Sequence, residues 1–409
     1  MNFTSPRVVF FVILAVYLAL QLYLFRRVLR YLKSRVRNPG QARVCRGAVL
    51  FFFLLMFLPF AWIMLFGLLP HEPYPWPIRD DMVLFAIWAF GSTGSALILL
   101  AYGVIQRLLS RFPRPKALDL QRRQLLKIGA GAVAAAPFVL SGYGTLIGRR
   151  RFEVEHFDLP LGGLSTSLSQ LTIVQLTDIH AGPFMPPEEL AAYVEAVNRL
   201  KPDLIALTGD FISSSPTEVG PCVDVLAVLK ARYGIYACMG NHDAYAGVED
   251  ELTRLFAEKG VQVLRNDAVS LRVRDTTVNV LGIDDLTWSL PDLPRALNVA
   301  EKEPGEVRLL LSHRPEIFPV AAQNGVEVIL SGHYHGGQVK LSPESANLSV
   351  ARLITPYAEG LFLLPRRRQP APGSANDSVL FVGRGIGTTG LPIRINCPPQ
   401  IAHLTLKNA

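Results

Sequence analysis

The stretch Ile329-Leu330-Ser331-Gly332-His333-Tyr334-His335-Gly336-Gly337-Gln338 decides how the chain is read. A short apolar run, Val326, Val328, Ile329 and Leu330, predicts a buried strand. It ends on Ser331-Gly332, and two histidines follow, one residue apart. Along an extended backbone alternate side chains share a side, so His333 and His335 are expected to point the same way. Imidazoles at the carboxyl end of a strand suit metal ligation, and the glycines beyond them let the backbone turn tightly. A polar strand-to-loop junction fits this stretch equally well. Partner ligands elsewhere have to decide.

Working outward, strands and helices alternate from residue 152 onward. Strands are expected at 171–176, 204–207, 235–239, 307–311 and 326–330, with helices at 187–200, 219–230, 248–258 and near 316–322. Segments 261–264, 269–274 and 278–283 read as consecutive strands with hairpin-like pairing, and later strands fall near 379–382 and 401–406. Residues 364–378, rich in Arg and Pro, read as a solvated loop. Helices between strands imply layers on both sides of the sheets, an α/β fold.

Polar residues gather where these strands end. The first runs into Thr177-Asp178-Ile179-His180 and the second into Thr208-Gly209-Asp210. The third runs into Gly240-Asn241-His242-Asp243, the fourth into Ser312-His313, and the fifth into His333 and His335. Carboxyl ends of strands converge on one crevice in open α/β folds. Five of the chain's eight histidines lie there, which scattered core or surface histidines would not produce. Carboxylate, amide and imidazole without thiolate suit Mn²⁺, Fe or Zn²⁺ better than Ca²⁺ or an Fe–S cluster. The donors are too many for one tetrahedral ion. Two ions sharing a carboxylate, ~3.5–4 Å apart, account for the number.

Asp178-x-His180, Gly209-Asp210, Gly240-Asn241-His242-Asp243, His313 and Gly332-His333-Tyr334-His335 resemble, in order, the five blocks of the calcineurin-like metallophosphoesterases. The resemblance covers residues 171–338. Gly336-Gly337-Gln338, Gly385-Ile386-Gly387-Thr388-Thr389 and Leu391-Pro392-Ile393-Arg394 are similar to the bacterial membrane-associated, twin-arginine-exported branch. The resemblance implies a four-layer α-β-β-α sandwich and two divalent ions. Asp178, His180, Asp210 and His335 would hold one ion. Asp210, Asn241, His313 and His333 would hold the other, with Asp210 bridging. His242 would face the phosphate, stabilising charge or protonating the leaving oxygen, and Asp243 is read either as its orienting partner or as a surface acid. A metal-bound hydroxide would attack phosphorus, so no Ser or Cys nucleophile is needed. Tyr334 stands where that family often has Thr or another small residue, which alters the wall of the site and not the ligand set.

Charge divides the chain. Residues 1–151 carry 20 Lys+Arg against 4 Asp+Glu, and the remaining residues 21 against 29. The basic excess therefore belongs to the N-terminal part, and an acidic catalytic domain argues against long nucleic acid as a partner. Residues 8–25, 48–69 and 82–105 are apolar runs long enough to span a bilayer, giving a three-helix transmembrane region over residues 1–110. Basic clusters follow the first and third runs. A Pro-rich loop at 71–81 separates the second from the third. The positive-inside rule makes the basic loops cytoplasmic. Residues 111–151 hold Arg122-Arg123 ahead of a Gly/Ala-rich run at 128–147, similar to a twin-arginine signal and equally readable as a fourth membrane helix. Either carries the metallophosphoesterase domain, 152–409, to the extracytoplasmic side of the cell membrane, with the translocase a candidate partner. Arg149, Arg150 and Arg151 favour the opposite side. The four cysteines, Cys45, Cys222, Cys238 and Cys397, form no CxxC pair and read as free thiols.

The expected function is a membrane-anchored phosphoesterase acting on phosphodiesters or lipid-linked phosphate or pyrophosphate. Two other readings stay open. One is a nucleotide-diphosphate-lipid pyrophosphatase at the cytoplasmic face. The other is a membrane sensor or transporter accessory with a structural metal site, although the spans lack the intramembrane acidic or paired charges of a transport path.

Overall fold

The computed structural model describes residues 6–66, 78–111, 120–302, 305–343, 348–349, 351–365 and 377–409. They divide into two units, one ending at Leu146 and the other running from Ile147 to Ala409. The first unit holds four long helices, α1 (Pro6–Arg35), α2 (Pro39–Phe66), α3 (Ile78–Leu109) and α4 (Leu120–Tyr143). Among the described residues three spans are apolar and long enough to cross a membrane: Pro39–Leu58, Met82–Leu108 and Gly131–Gly148. The first predicted run, 8–25, falls within α1. The second extends past Phe66 to residues outside those described, where most of the Pro-rich loop also lies. Small residues let α3 and α4 approach: a Cβ on Gly94 would come within 2.7 Å of Pro137 Cβ. Ser95 Oγ donates to the Ala134 carbonyl at 2.5 Å, and Gln21 Nε2 on α1 donates to Ser92 Oγ on α3 at 2.8 Å.

The second unit contains β1 (Glu153–Leu161), β2 (Thr172–Leu176), α5 (Pro187–Leu200), β3 (Leu204–Thr208), α6 (Val219–Leu226), β4 (Ile235–Cys238), α7 (Asn241–Tyr245), α8 (Glu249–Glu258) and β5 (Val261–Val263). It continues with β6 (Asp267–Val273), β7 (Thr276–Gly282), α9 (Leu293–Lys302), β8 (Val307–Leu311), α10 (Phe318–Gln323), β9 (Val328–Ser331), β10 (Gly360–Pro365), β11 (Asp377–Val382) and β12 (Gln400–Asn408). Two six-stranded sheets result, ordered β1-β12-β2-β3-β4-β5 and β10-β11-β9-β8-β7-β6. One core lies between them, joining Leu204 and Ala206 of the first sheet to Val280, Leu309 and Val328 of the second. A second core packs α5, α6 and α8 on the first sheet, and a third packs α9 and α10 on the other. The layers are α-β-β-α, as the resemblance implies.

Two expectations change, and one strand is new. The segment at 261–264 does not pair with its successors: β5 joins the first sheet parallel to β4, and only β6 and β7 form a hairpin. Helix α8 supplies the crossover that a parallel neighbour needs. The loop predicted over 364–378 begins and ends as strand, in β10 and β11, with residues 366–376 outside those described. β1 goes unpredicted because its acidic residues and Pro160 blur the apolar alternation. It is an edge strand, where both are tolerated.

Candidate metal centre

Strands β2, β3 and β4 run parallel in one sheet, and β8 and β9 in the other. Their carboxyl ends deliver the candidate ligands. The loops are laced together: Asp178 N–H donates to the Gly209 carbonyl, His180 N–H to Asp210, and Gly332 N–H to His313. Asp178, His180, Asp210 and His335 have φ between 49° and 56°, and His333 has φ 77°. This left-handed backbone is sparsely populated by non-glycine residues, Asp and His tolerating it better than most, and such conformations cluster at functional sites.

That geometry corrects the expected orientation of the histidine pair. β9 stops at Ser331, and His335 opens a 3₁₀ turn, His335–Gly337, so no extended backbone carries the two rings. They diverge. His335 lies with Asp178 and His180, and His333 with Asp210 and His313, each trio having ligand atoms within 4.8 Å of one another; His180, Asp210 and His242 form a further trio. His180 Nε2 and His335 Nε2 are 3.1 Å apart, and Asp210 Oδ2 is 3.5 Å from His180 Nε2 and 3.3 Å from His313 Nε2. Asp210 thus stands between the clusters. Gly332 makes room for this crowding, since an added Cβ would collide with the Thr177 hydroxyl and the Asp178 carboxylate.

Burial governs the charges. It pushes Asp178 up to about 6 and His180 down to about 3, with His333 down to about 2 and His335 also well below the usual imidazole value. Neutral imidazole is the form that ligates a metal. His313 is the exception: burial opposes its charge, but the adjacent Asp210 raises it to about 10. Burial likewise opposes ionisation of Asp210, yet His313 holds its carboxyl well below the usual range. Without another cation, the His313 proton balances Asp210. Asn241 Oδ1 is buried with no hydrogen-bond partner. Such an atom costs about 1–3 kcal/mol, which a bound cation would relieve. The donors present therefore fit a divalent pair.

Asp243 differs from its expected role of orienting His242. Its fully buried carboxylate accepts the backbone N–H groups of Gly240, Asp210 and Phe211, each at 2.9 Å, and so fastens the β3 and β4 loops together. Nor is it a surface acid. The Ser213 carbonyl holds His242 instead, 2.6 Å from Nδ1, while Nε2 lies 3.5 Å from Thr389 Oγ1. A carboxylate one residue from a histidine looked like its partner, and the helical turn of α7 directs it to backbone donors instead.

Two arginines to which the sequence assigned no role at the site approach its histidines. Arg314 Nε donates to Asp285 at 2.8 Å, and its Nη1 sits 2.7 Å from His333 Nε2. Arg394, 1 % exposed, donates to the carbonyls of Gly387, Arg384, Gly385 and Cys397, with Nη2 3.4 Å from His335 Nδ1. The stretch it clamps lies against the first ligand loop, Ile386 N–H donating to Thr177 and Gly387 N–H to Asp178. The Gly385–Thr389 and Arg394 motifs were the available signal, and they turn out to brace the site.

Comparison with known proteins agrees with this geometry. A family model described as calcineurin-like phosphoesterase matches residues 171–337. A Danio rerio protein named "Transmembrane protein with metallophosphoesterase domain" is 27% identical over 406 residues, 95% of this chain and 86% of that protein. A Bos taurus protein of the same name is 28% identical over 81% of this chain and 76% of its own length. The Bacillus subtilis protein "Uncharacterized metallophosphoesterase YkuE" is 29% identical over 71% of this chain and 98% of its own length. Residues 171–337 thus carry a calcineurin-like phosphoesterase domain, and the relatives that match most of the chain are named as metallophosphoesterases, which supports a metal-dependent hydrolase of phosphoesters.

Proposed function

We propose that the protein is a membrane-anchored phosphoesterase that works with two divalent ions, Mn²⁺, Fe or Zn²⁺, on phosphodiester or lipid-linked phosphate or pyrophosphate substrates. The observation that carries this reading is Asp210 standing between two buried His/Asp clusters, with Asn241 Oδ1 unpartnered beside it. Asp178, His180, Asp210 and His335 would hold one ion. Asp210, Asn241, His313 and His333 would hold the other. When bound, the pair supplies Lewis-acid charge and an acidified water at neutral pH.

The protein's own groups do the rest. Asp210 shares its carboxylate between the two sets, and Asp243 fixes the backbone from which Asp210 projects. His242 is partly exposed at the rim, oriented through Nδ1, and its Nε2 side is available to steady a phosphoryl oxygen or protonate the leaving oxygen. Turnover of bis(p-nitrophenyl) phosphate with added Mn²⁺, lost in His335→Ala, is the expected result. Full activity in chelated protein would contradict it.

An extracytoplasmic domain is favoured over a cytoplasmic one. The arginines after the last apolar span are engaged by the α/β unit itself. Arg149, 3 % exposed, donates to the Phe184 carbonyl and reaches Glu189 at 3.4 Å, and Arg150 reaches Glu189 at 3.6 Å. Residues tied into the folded domain are weak topology signals. A periplasmic reporter fused after Ala409 is expected to be active. An inactive one, with a cytoplasmic reporter active at the same position, would instead favour the nucleotide-diphosphate-lipid pyrophosphatase.

A further inference from the structure

A line of rings leads outward from the metal centre. His180 meets His242 edge to face, with ring centres 4.6 Å apart. Tyr245, further along α7, is 6.3 Å from His242, and Trp288 is 6.1 Å beyond Tyr245. The two outer rings are 55% and 60% exposed. Tryptophan is ordinarily a well-covered side chain, so an uncovered one close to a reaction centre calls for a partner. Trp288 is also the one tryptophan of the α/β unit, since Trp62, Trp76 and Trp88 all precede it.

The loop that carries Trp288 is firmly held. Ser289 Oγ donates to Glu249 on α8 at 2.8 Å, and Asn266 Nδ2 donates to the Leu290 carbonyl at 2.8 Å. Buried Asp285 accepts the N–H groups of Thr287 at 3.0 Å and Trp288 at 2.9 Å through Oδ1. Its Oδ2 accepts from Arg314 Nε at 2.8 Å, and Arg314 in turn reaches His333. One carboxylate therefore fixes both a guanidinium at the metal centre and an indole at the rim. The guanidinium suits phosphoryl oxygens, and the indole offers a flat face set in position before any ligand arrives. Stacking asks only for a planar π face, so an exposed Tyr–Trp pair accepts ring systems of differing substitution.

We infer that Tyr245 and Trp288 form a stacking subsite for a planar ring carried by the phosphoester, a nucleobase or an aryl group, and that this ring is what the protein selects. The inference rests on the phosphoesterase reading and names a substrate class for it. The phosphate meets the metal centre beside His242 and Arg314, while the ring stacks outward on Tyr245 and Trp288.

Two measurements on the full-length protein with added Mn²⁺ test this. The first follows tryptophan emission on addition of AMP, phenyl phosphate or ribose 5-phosphate. Saturable quenching is expected from a ring-bearing compound and not from ribose 5-phosphate, and the tighter of the two ring-bearing compounds identifies the source of the ring. The quench should disappear in Trp288→Phe, which keeps a ring but loses the indole. Quenching that persists in that variant, or equal effects of all three phosphates, overturns the subsite. The second measures inhibition of bis(p-nitrophenyl) phosphate turnover by the same compounds. The ring-bearing compound should inhibit about 10–100-fold more tightly than ribose 5-phosphate. That ratio should collapse in Trp288→Ala and Tyr245→Ala and survive in Trp288→Phe. A ratio unmoved by the alanine variants, as a merely structural effect would leave it, overturns the proposal. Absence of turnover in the parent, with the quench by a ring-bearing compound intact, would be the failure of the phosphoesterase reading and not of the subsite.

Discussion

The two units of this protein are built inside out relative to each other. In the helical unit Phe51, Leu54, Leu58 and Leu84 face outward, and Gln21, Ser92, Ser95 and Ser141 are buried. In the α/β unit the leucines fill three cores, while buried polar side chains concentrate at the strand ends as Asp178, His180, Asp210, Asp243, His313 and His335. The contrast teaches what a buried polar group is for. In an apolar surround, serine and glutamine join helices by single hydrogen bonds, each a small contribution. In the water-surrounded unit, buried charge is tolerated only because loops, glycines and opposing charges converge on it, and such convergence marks chemistry.

Substitutions can break this contrast, beginning with the greatest loss. His242→Ala is expected to lower turnover by about 10²–10⁴-fold with metal content unchanged, as steady-state kinetics alongside metal analysis would report. Arg394→Met removes the buried guanidinium that spans the Gly385–Gly387 carbonyls and approaches His335. Metal affinity should fall about 10–100-fold in a chelator competition, and Arg394→Lys should recover part of it. Asp243→Asn turns an amide toward backbone donors that now meet a carboxylate, and should cost about 1–3 kcal/mol in thermal or denaturant unfolding. Gln21→Leu in the helical unit is the mildest, about 0.6 kcal/mol. If that loss rivalled Asp243→Asn, the contrast between the units would be wrong.

Much of this was legible before any coordinates. Strand ends were readable because apolar runs stop abruptly at Thr177, Thr208, Met239 and Ser312, and the residues that follow are those metals prefer. Apolar runs of spanning length were equally plain. Backbone conformation was not: nothing in His333-Tyr334-His335 announces two left-handed histidines, and the expected alternation assumed a strand that ends two residues earlier. Asp243 misled for a similar reason, because adjacency in sequence says little about direction once a helical turn begins at Asn241. Arg314 and Arg394 act across long sequence separations, through loops whose register only the fold sets. β5 was assigned to a neighbouring hairpin because a strand's local pattern does not name its sheet.

The central claim is that one bridging carboxylate and two diverging histidines serve a pair of ions. Metal analysis of the full-length protein beside its His333→Ala and His335→Ala variants tests it most directly. About two ions per chain are expected in the parent, with each substitution removing about one and both abolishing phosphodiester turnover. Near-parental activity in both variants, or full activity in metal-free protein, would contradict it.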